Sequence, residues 1–162
     1  MVISVGDQLP NAKLGRTGQS GPEVIELSTL TEGQNVVIFG LPGAFTRTCS
    51  AAHLPSFMRN MSAFKGKGID HVICLSVNDP FVMNAWDEAA GAGAAGIEML
   101  ADPTAEFTKA AGLEFTVAAL GFIDRCKRFS AYVVDGEIKV LNFESEAGTC
   151  DITAGETLLS QI

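Results

Sequence analysis

The sequence contains no CxxC pair. Its four cysteines, Cys49, Cys74, Cys126 and Cys150, stand far apart, which excludes a zinc ribbon and a thioredoxin-type dithiol. The two histidines, His53 and His71, do not complete a metal-ligating set with them. Bases are scarce: 11 Lys and Arg face 19 Asp and Glu, for a formal net charge of -8. Nucleic-acid binding relies on clustered cations that neutralise phosphates, and no such cluster is present. Long apolar runs are also missing. The stretch from Val36 to Phe39 is far too short to span a bilayer. The N-terminal residues Met1 to Pro10 have neither the basic stretch nor the apolar segment of a secretory signal. A cytoplasmic protein with no membrane partner is therefore expected, its thiols free in a reducing compartment. Repeats and linkers are absent, and 162 residues fit one domain spanning 1–162.

What is present alternates between two hydrophobic periods. Asn35 to Gly40 is a short, β-branched apolar run and reads as a buried strand. From Cys49 to Phe64 the apolar residues Leu54, Phe57, Met58, Met61 and Phe64 recur at helical spacing, with a kink expected at Pro55. His71 to Val77 is a second strand, and Asn78-Asp79-Pro80 opens a helix that carries Met83 and Trp86. A strand over Glu98 to Ala101 and a helix over Pro103 to Ala111 follow. The strands Arg128–Val134 and Glu137–Phe143 flank Asp135-Gly136, a favoured two-residue hairpin turn. A last helix spans Thr153 to Ile162. Two stretches, Gly15 to Pro22 and Ala89 to Gly96, read as loops, the second also as a frayed helix end. The pattern is α/β, a central mixed β-sheet flanked by helices with a C-terminal antiparallel hairpin. Chemistry in such sheets sits beyond the carboxyl ends of the strands, where the loop leading to Cys49 lies.

A thiolate, not a thiol, is the sulfur nucleophile, and the start of a helix offers oriented amide donors to an anion. Among the four cysteines Cys49 is placed at a helix start. Cys74 lies inside an apolar strand, Cys126 opens the hairpin and Cys150 sits in a polar loop. Thr46, three residues upstream, is positioned to bring a hydroxyl beside the sulfur. Pro42 stiffens the loop, and Gly43 permits close backbone approach. Position alone leaves two readings open. Cys49 is either a reactive thiol or a small apolar side chain at a helix start, and Thr46 or Thr48 is equally an N-cap.

The string LPGAFTRTCS, with Pro42, Thr46 and Cys49 in register, resembles the peroxiredoxin signature. The blocks Leu75–Trp86, Leu100–Phe107 and Arg125–Asn142 resemble the type II, or atypical, class in the same order. The resemblance implies a thioredoxin-like fold and a thiol-dependent peroxidase that reduces hydrogen peroxide and alkyl hydroperoxides. It implies that Cys49 is the peroxidatic cysteine, that Thr46 bonds sulfur and peroxide, and that Pro42 shields the site. It assigns Arg128 to holding thiolate and peroxide, against the commoner fate of a strand arginine in solvent, with Arg125 a second candidate. No metal, flavin or haem is implied. The sulfenic acid formed at Cys49 is resolved either by Cys150 or by glutaredoxin, glutathione or thioredoxin, and Cys150 is equally an incidental surface thiol. His53, one turn after Cys49, is expected on the same helix face. Homodimers are common in the family. Relatives usually carry proline where Arg47 stands; arginine does not fix φ, so either the loop is more mobile there, or the positive charge tunes Cys49 or attracts an anionic reductant. The competing readings are a thioredoxin-type disulfide oxidoreductase and a thioredoxin-like redox-sensing or binding module without turnover.

Overall fold

The computed structural model describes Met1–Ile162. A seven-stranded sheet in the order β2-β1-β5-β4-β3-β8-β9 forms its centre. The strands are β1 (Lys13–Gly18), β2 (Gly21–Glu26), β3 (Asn35–Leu41), β4 (His71–Ser76), β5 (Ile97–Ala101), β8 (Phe129–Val134) and β9 (Glu137–Phe143). β3, β4 and β5 pair in parallel, and the other pairings are antiparallel. Two further strands, β6 (Glu114–Val117) and β7 (Phe122–Cys126), make a separate antiparallel pair.

β3 is buried on both faces because it is apolar at successive positions, as a central strand between two layers must be. Val36 and Ile38 point into one core with Leu75, Phe107 and Phe129. Val37, Phe39 and Leu41 point into the other, which holds Cys49, Leu54, Phe57 and Phe64. In that second core the Phe39 and Phe57 rings stack at 3.9 Å between centroids, and Phe64 extends the stack at 5.8 Å from Phe57. The expected fold class is therefore observed. The pairing of β3 with β8 sets the site. Gly40 lies opposite Phe129, so Arg128, the residue before β8, falls beside the loop that leaves the end of β3.

The helix expected from Cys49 to Phe64 is three pieces. A π-helical turn covers Cys49–His53, α2 covers Leu54–Met58 and α3 covers Met61–Gly66. Pro55 stands in the first turn of α2, and the break falls at Arg59-Asn60. The amide of Leu54 reaches back to the Cys49 carbonyl, five residues away. Such a wide turn ahead of Pro55 accommodates a ring that cannot donate and would crowd the carbonyl four residues earlier.

Other expectations also shift. Gly15 to Pro22 is not a loop but most of the β1–β2 hairpin, whose outer strand is largely exposed and so lacks an apolar pattern. Asp79 caps α4 (Pro80–Ala90) through the Val82 amide, as its sequence predicts. Gly91 and Gly96 bracket a short helix, α5 (Ala92–Ala95), in place of a loop. Cys126 ends β7 rather than opening the β8–β9 hairpin. The C-terminal helix α7 is confined to Gly155–Ser160. The helix expected over Pro103 to Ala111 shortens to α6 (Glu106–Ala110), because Asp102 takes over the preceding turn. Its fully buried carboxylate accepts from the amides of Phe107 and Thr108 and from the Thr108 hydroxyl at 3.3, 2.9 and 2.8 Å.

Asp102→Ala removes both acceptor oxygens and all three hydrogen bonds, and leaves buried donors unpaired. It is expected to lower stability by about 2–4 kcal/mol, read as a shift in the urea midpoint.

Candidate active site

Arg128 is the largest polar side chain in the interior, with 2% of its surface exposed. It has no carboxylate partner in any ion pair of the chain. Its acceptors are of another kind. Nη2 donates to Cys49 Sγ at 3.3 Å and to the Ala147 carbonyl at 3.0 Å, and Nη1 donates to His53 Nδ1 at 3.0 Å. Nε has no partner. Cys49 is itself fully buried. Arg128 and Cys49 therefore meet as expected, and the arginine is not a solvated strand residue.

His53 does more than share a face with Cys49. Its Nε2 lies 3.1 Å from the Thr153 carbonyl, which only accepts, so Nε2 carries the proton. Nδ1 is then a lone pair, matched to the donor Arg128 Nη1. Burial foremost, and the adjacent guanidinium second, push the His53 pKa down to about 3, against a smaller opposing effect of the Thr153 carbonyl. The ring is a neutral bracket for the arginine throughout the physiological range. A second layer supports it. Ser56 Oγ donates to the His53 carbonyl at 2.6 Å and accepts from the Gly155 amide at 2.9 Å. A side chain on Gly155 would come within 2.5 Å of the Ser56 carbonyl oxygen.

The loop before Cys49 is held from the other side. Arg125 Nη1 donates to the Pro42 carbonyl at 3.0 Å, and its guanidinium lies 5.3 Å from the centroid of the Phe122 ring. Gly43 leaves room for it, since a Cβ there would stand 2.5 Å from Arg125 Nη1 and displace the guanidinium. Arg125 thus positions the loop and does not touch the sulfur. Phe45 adopts φ 62° and is exposed, a strained conformation for a non-glycine residue immediately ahead of the site. The Thr46 hydroxyl donates to the Gly43 carbonyl at 2.7 Å. Its proton is therefore committed to the backbone rather than to sulfur, and its lone pairs remain free. Thr48 Oγ1 donates to the Gly148 carbonyl at 2.9 Å and caps nothing, and neither hydroxyl acts as an N-cap of the Cys49 turn. On the following residue, Ser50 Oγ accepts from Trp86 Nε1 at 3.1 Å.

An open cleft of about 370 Å³ lies over these groups, with Pro42, Thr46, Arg47, Leu120, Phe122 and Arg128 in its wall. Cys49 sits beneath that wall, behind Thr46 and Arg128. The other thiols differ. Burial pushes Cys126 up to about 12 and Cys74 well above its ordinary value. Cys150 is half-buried, and burial raises its pKa as well. It lies in the segment after β9, with Thr153 Oγ1 4.0 Å from its sulfur. No two cysteines are bonded. That segment is organised by Glu144, which sequence reading passed over. Its carboxylate accepts from the amides of Asp151 and Thr153 and the hydroxyls of Thr153 and Thr149 at 2.6, 3.0, 2.9 and 3.2 Å. Burial opposes its ionisation, but these donors outweigh it and hold its pKa below the ordinary value.

The redoxin family model matches residues 4–159. Peroxiredoxin-2F, mitochondrial, of Arabidopsis thaliana is 46% identical over 84% of this chain and 67% of its own. Peroxiredoxin-2C of Oryza sativa is 37% identical over 99% of this chain and 98% of its own. Among solved structures, reduced Prx3 of Vibrio vulnificus in complex with H2O2 superposes with a TM-score of 0.92 at 40% identity, covering 99% of both chains. Peroxiredoxin 5 of Alvinella pompejana superposes at 0.84 with 28% identity, over 98% of this chain and 96% of that one.

His53 leads to a pH dependence of folding. The unfolded ring binds a proton near pH 6.5 and the folded one near pH 3, so between these values the unfolded chain holds more protons and stability falls with acidification. The expected loss from pH 7.5 to pH 5 is about 2 kcal/mol. It is measured by urea titration at both pH values, and His53→Gln should remove most of the difference.

Proposed function

This chain belongs to the redoxin family and within it to the type II peroxiredoxins, and from that membership we propose that Cys49 is its peroxide-reducing sulfur. The chain is a thiol peroxidase by family. The observation that carries the residue assignment is Arg128, a buried cation without a carboxylate, 3.3 Å from Cys49 Sγ. An uncompensated buried charge costs several kcal/mol. The Cys49 sulfur, which accepts from Arg128 Nη2, is the group placed to carry the compensating charge.

The reaction begins with attack of the Cys49 thiolate on the terminal oxygen of a hydroperoxide. The S–O bond forms as the O–O bond breaks, and sulfur is oxidised by two electrons to the sulfenic acid. The departing oxygen takes up a proton and leaves as water or an alcohol. Thr46, its own proton committed to Gly43, accepts from the hydroperoxide O–H and so orients it. The unpaired Arg128 Nε–H is a fixed donor for charge moving onto the departing oxygen. Pro42, with its carbonyl tied to Arg125, fixes one side of the cleft.

The sulfenic acid is returned to the thiol by an external reductant: glutathione, glutaredoxin or thioredoxin. One thiol condenses with it, releasing water and leaving a disulfide that a second thiol reduces. Two features favour this over resolution by Cys150. Burial raises the pKa of that thiol, which lowers its thiolate fraction, and Glu144 ties down the segment that carries it. The exposed apolar side chains Phe45 and Ile123 support homodimerisation near the active-site end.

Cys49→Ser is expected to abolish hydroperoxide consumption; retained turnover would refute the assignment. Arg128→Met should slow oxidation of Cys49 by about 10²–10³-fold, measured in single-turnover mixing with hydrogen peroxide. Non-reducing mass spectrometry after one equivalent of peroxide should find sulfenic acid or a mixed disulfide at Cys49. A Cys49–Cys150 bond would instead establish internal resolution.

A further inference from the structure

The cleft over Cys49 is larger and differently charged than hydrogen peroxide requires. At about 30 Å³ per water-sized body, hydrogen peroxide fills roughly 60 Å³, a small part of the 370 Å³ present. Leu120 and Phe122 supply apolar wall, and Leu120 is 67% exposed with nothing of its own chain covering it. The cleft therefore has room and surface for the organic body of a hydroperoxide.

The charges in the wall narrow the choice. On a chain with 19 carboxylates and 11 bases, the lining holds two guanidinium groups, Arg47 and Arg128, and no carboxylate. Arg128 is committed inward to Cys49, His53 and Ala147. Arg47 is exposed and belongs to none of the ion pairs of the chain. It shares the lining of the cleft with Thr46 and with Arg128, whose Nη2 donates to Cys49 Sγ. Arginine offers a paired donor geometry that matches a carboxylate.

We propose that Arg47 is a specificity-determining residue that selects organic hydroperoxides bearing a carboxylate. The –OOH end meets Thr46 and Arg128 above Cys49, the apolar body lies along Leu120 and Phe122, and the carboxylate pairs with Arg47. This rests on the assignment of Cys49 as the reacting sulfur and adds the substrate class. The Arg47 charge also attracts such an anion before contact, an effect that salt screens.

The test compares cumene hydroperoxide with its ring-carboxylated analogue, a pair that differs in one charge far from the reacting oxygens. Second-order rates of Cys49 oxidation are measured at low and high ionic strength. The carboxylated compound is expected to react about fivefold faster at low salt, as befits one partly exposed ion pair, and the advantage should shrink at high salt. Arg47→Gln should bring the ratio of the two rates to about one, and Arg47→Glu should invert it. Equal rates in the unmodified protein, or a preference that survives Arg47→Gln, would overturn the role of Arg47 while leaving Cys49 as the peroxidatic residue. Failure to oxidise Cys49 with hydrogen peroxide as well as with both compounds would instead overturn the peroxidase assignment itself.

Discussion

A buried guanidinium that has no acidic partner is the constraint on which this site depends. Arg128 is held by a sulfur, a ring nitrogen and a carbonyl, and each of these is fixed by something else. The sheet places the arginine, since Phe129 is registered against Gly40 and the residue before it must fall at the exit of β3. The π-helical turn brings Cys49 and His53 to the same cation. His53 meets it as a lone pair because the Thr153 carbonyl fixes the ring proton on the other nitrogen. The neutral histidine aims the arginine without competing with sulfur for its charge.

The segment after β9 joins two roles. It supplies the Ala147 carbonyl that anchors Arg128, the Gly148 carbonyl that takes the Thr48 hydroxyl, and the Thr153 carbonyl that sets the His53 tautomer. It also carries Cys150. Movement of this segment would strip Arg128 and His53 of partners. Glu144, through its four acceptor contacts, sets how firmly the segment stays.

Much of this was legible in the sequence, but unevenly. The parallel strands showed as short β-branched runs, the Asp135-Gly136 turn announced its hairpin, and Asp79-Pro80 marked the start of α4. The meeting of Cys49 with Arg128 was legible because a motif joins them across the chain. Periodicity misled where exposure or a proline intervened. The β1–β2 hairpin has an exposed outer strand and no alternation to read, and Pro55 widens the turn before it instead of kinking a continuous helix. Groups acting through the backbone left no signal at all. The carbonyls of Ala147 and Thr153 contribute by position, and any residue type offers a carbonyl. Ser56, Gly155 and Glu144 are ordinary residues whose roles arise from contacts about 90 or more positions apart, or from a loop closing on itself. Thr46 was placed beside the site by sequence, yet the direction of its hydrogen bond was decided by the turn at Gly43.

The contact between Trp86 and Ser50 has an experimental consequence. Trp86 is the only indole in the chain, and its N–H rests on the hydroxyl of the residue next to Cys49. A change of bonding at the sulfur reaches an emitting chromophore through one peptide unit and one hydrogen bond. Oxidation of Cys49 is therefore expected to change the emission of Trp86, which a stopped-flow fluorimeter would follow without dye, tag or coupled enzyme.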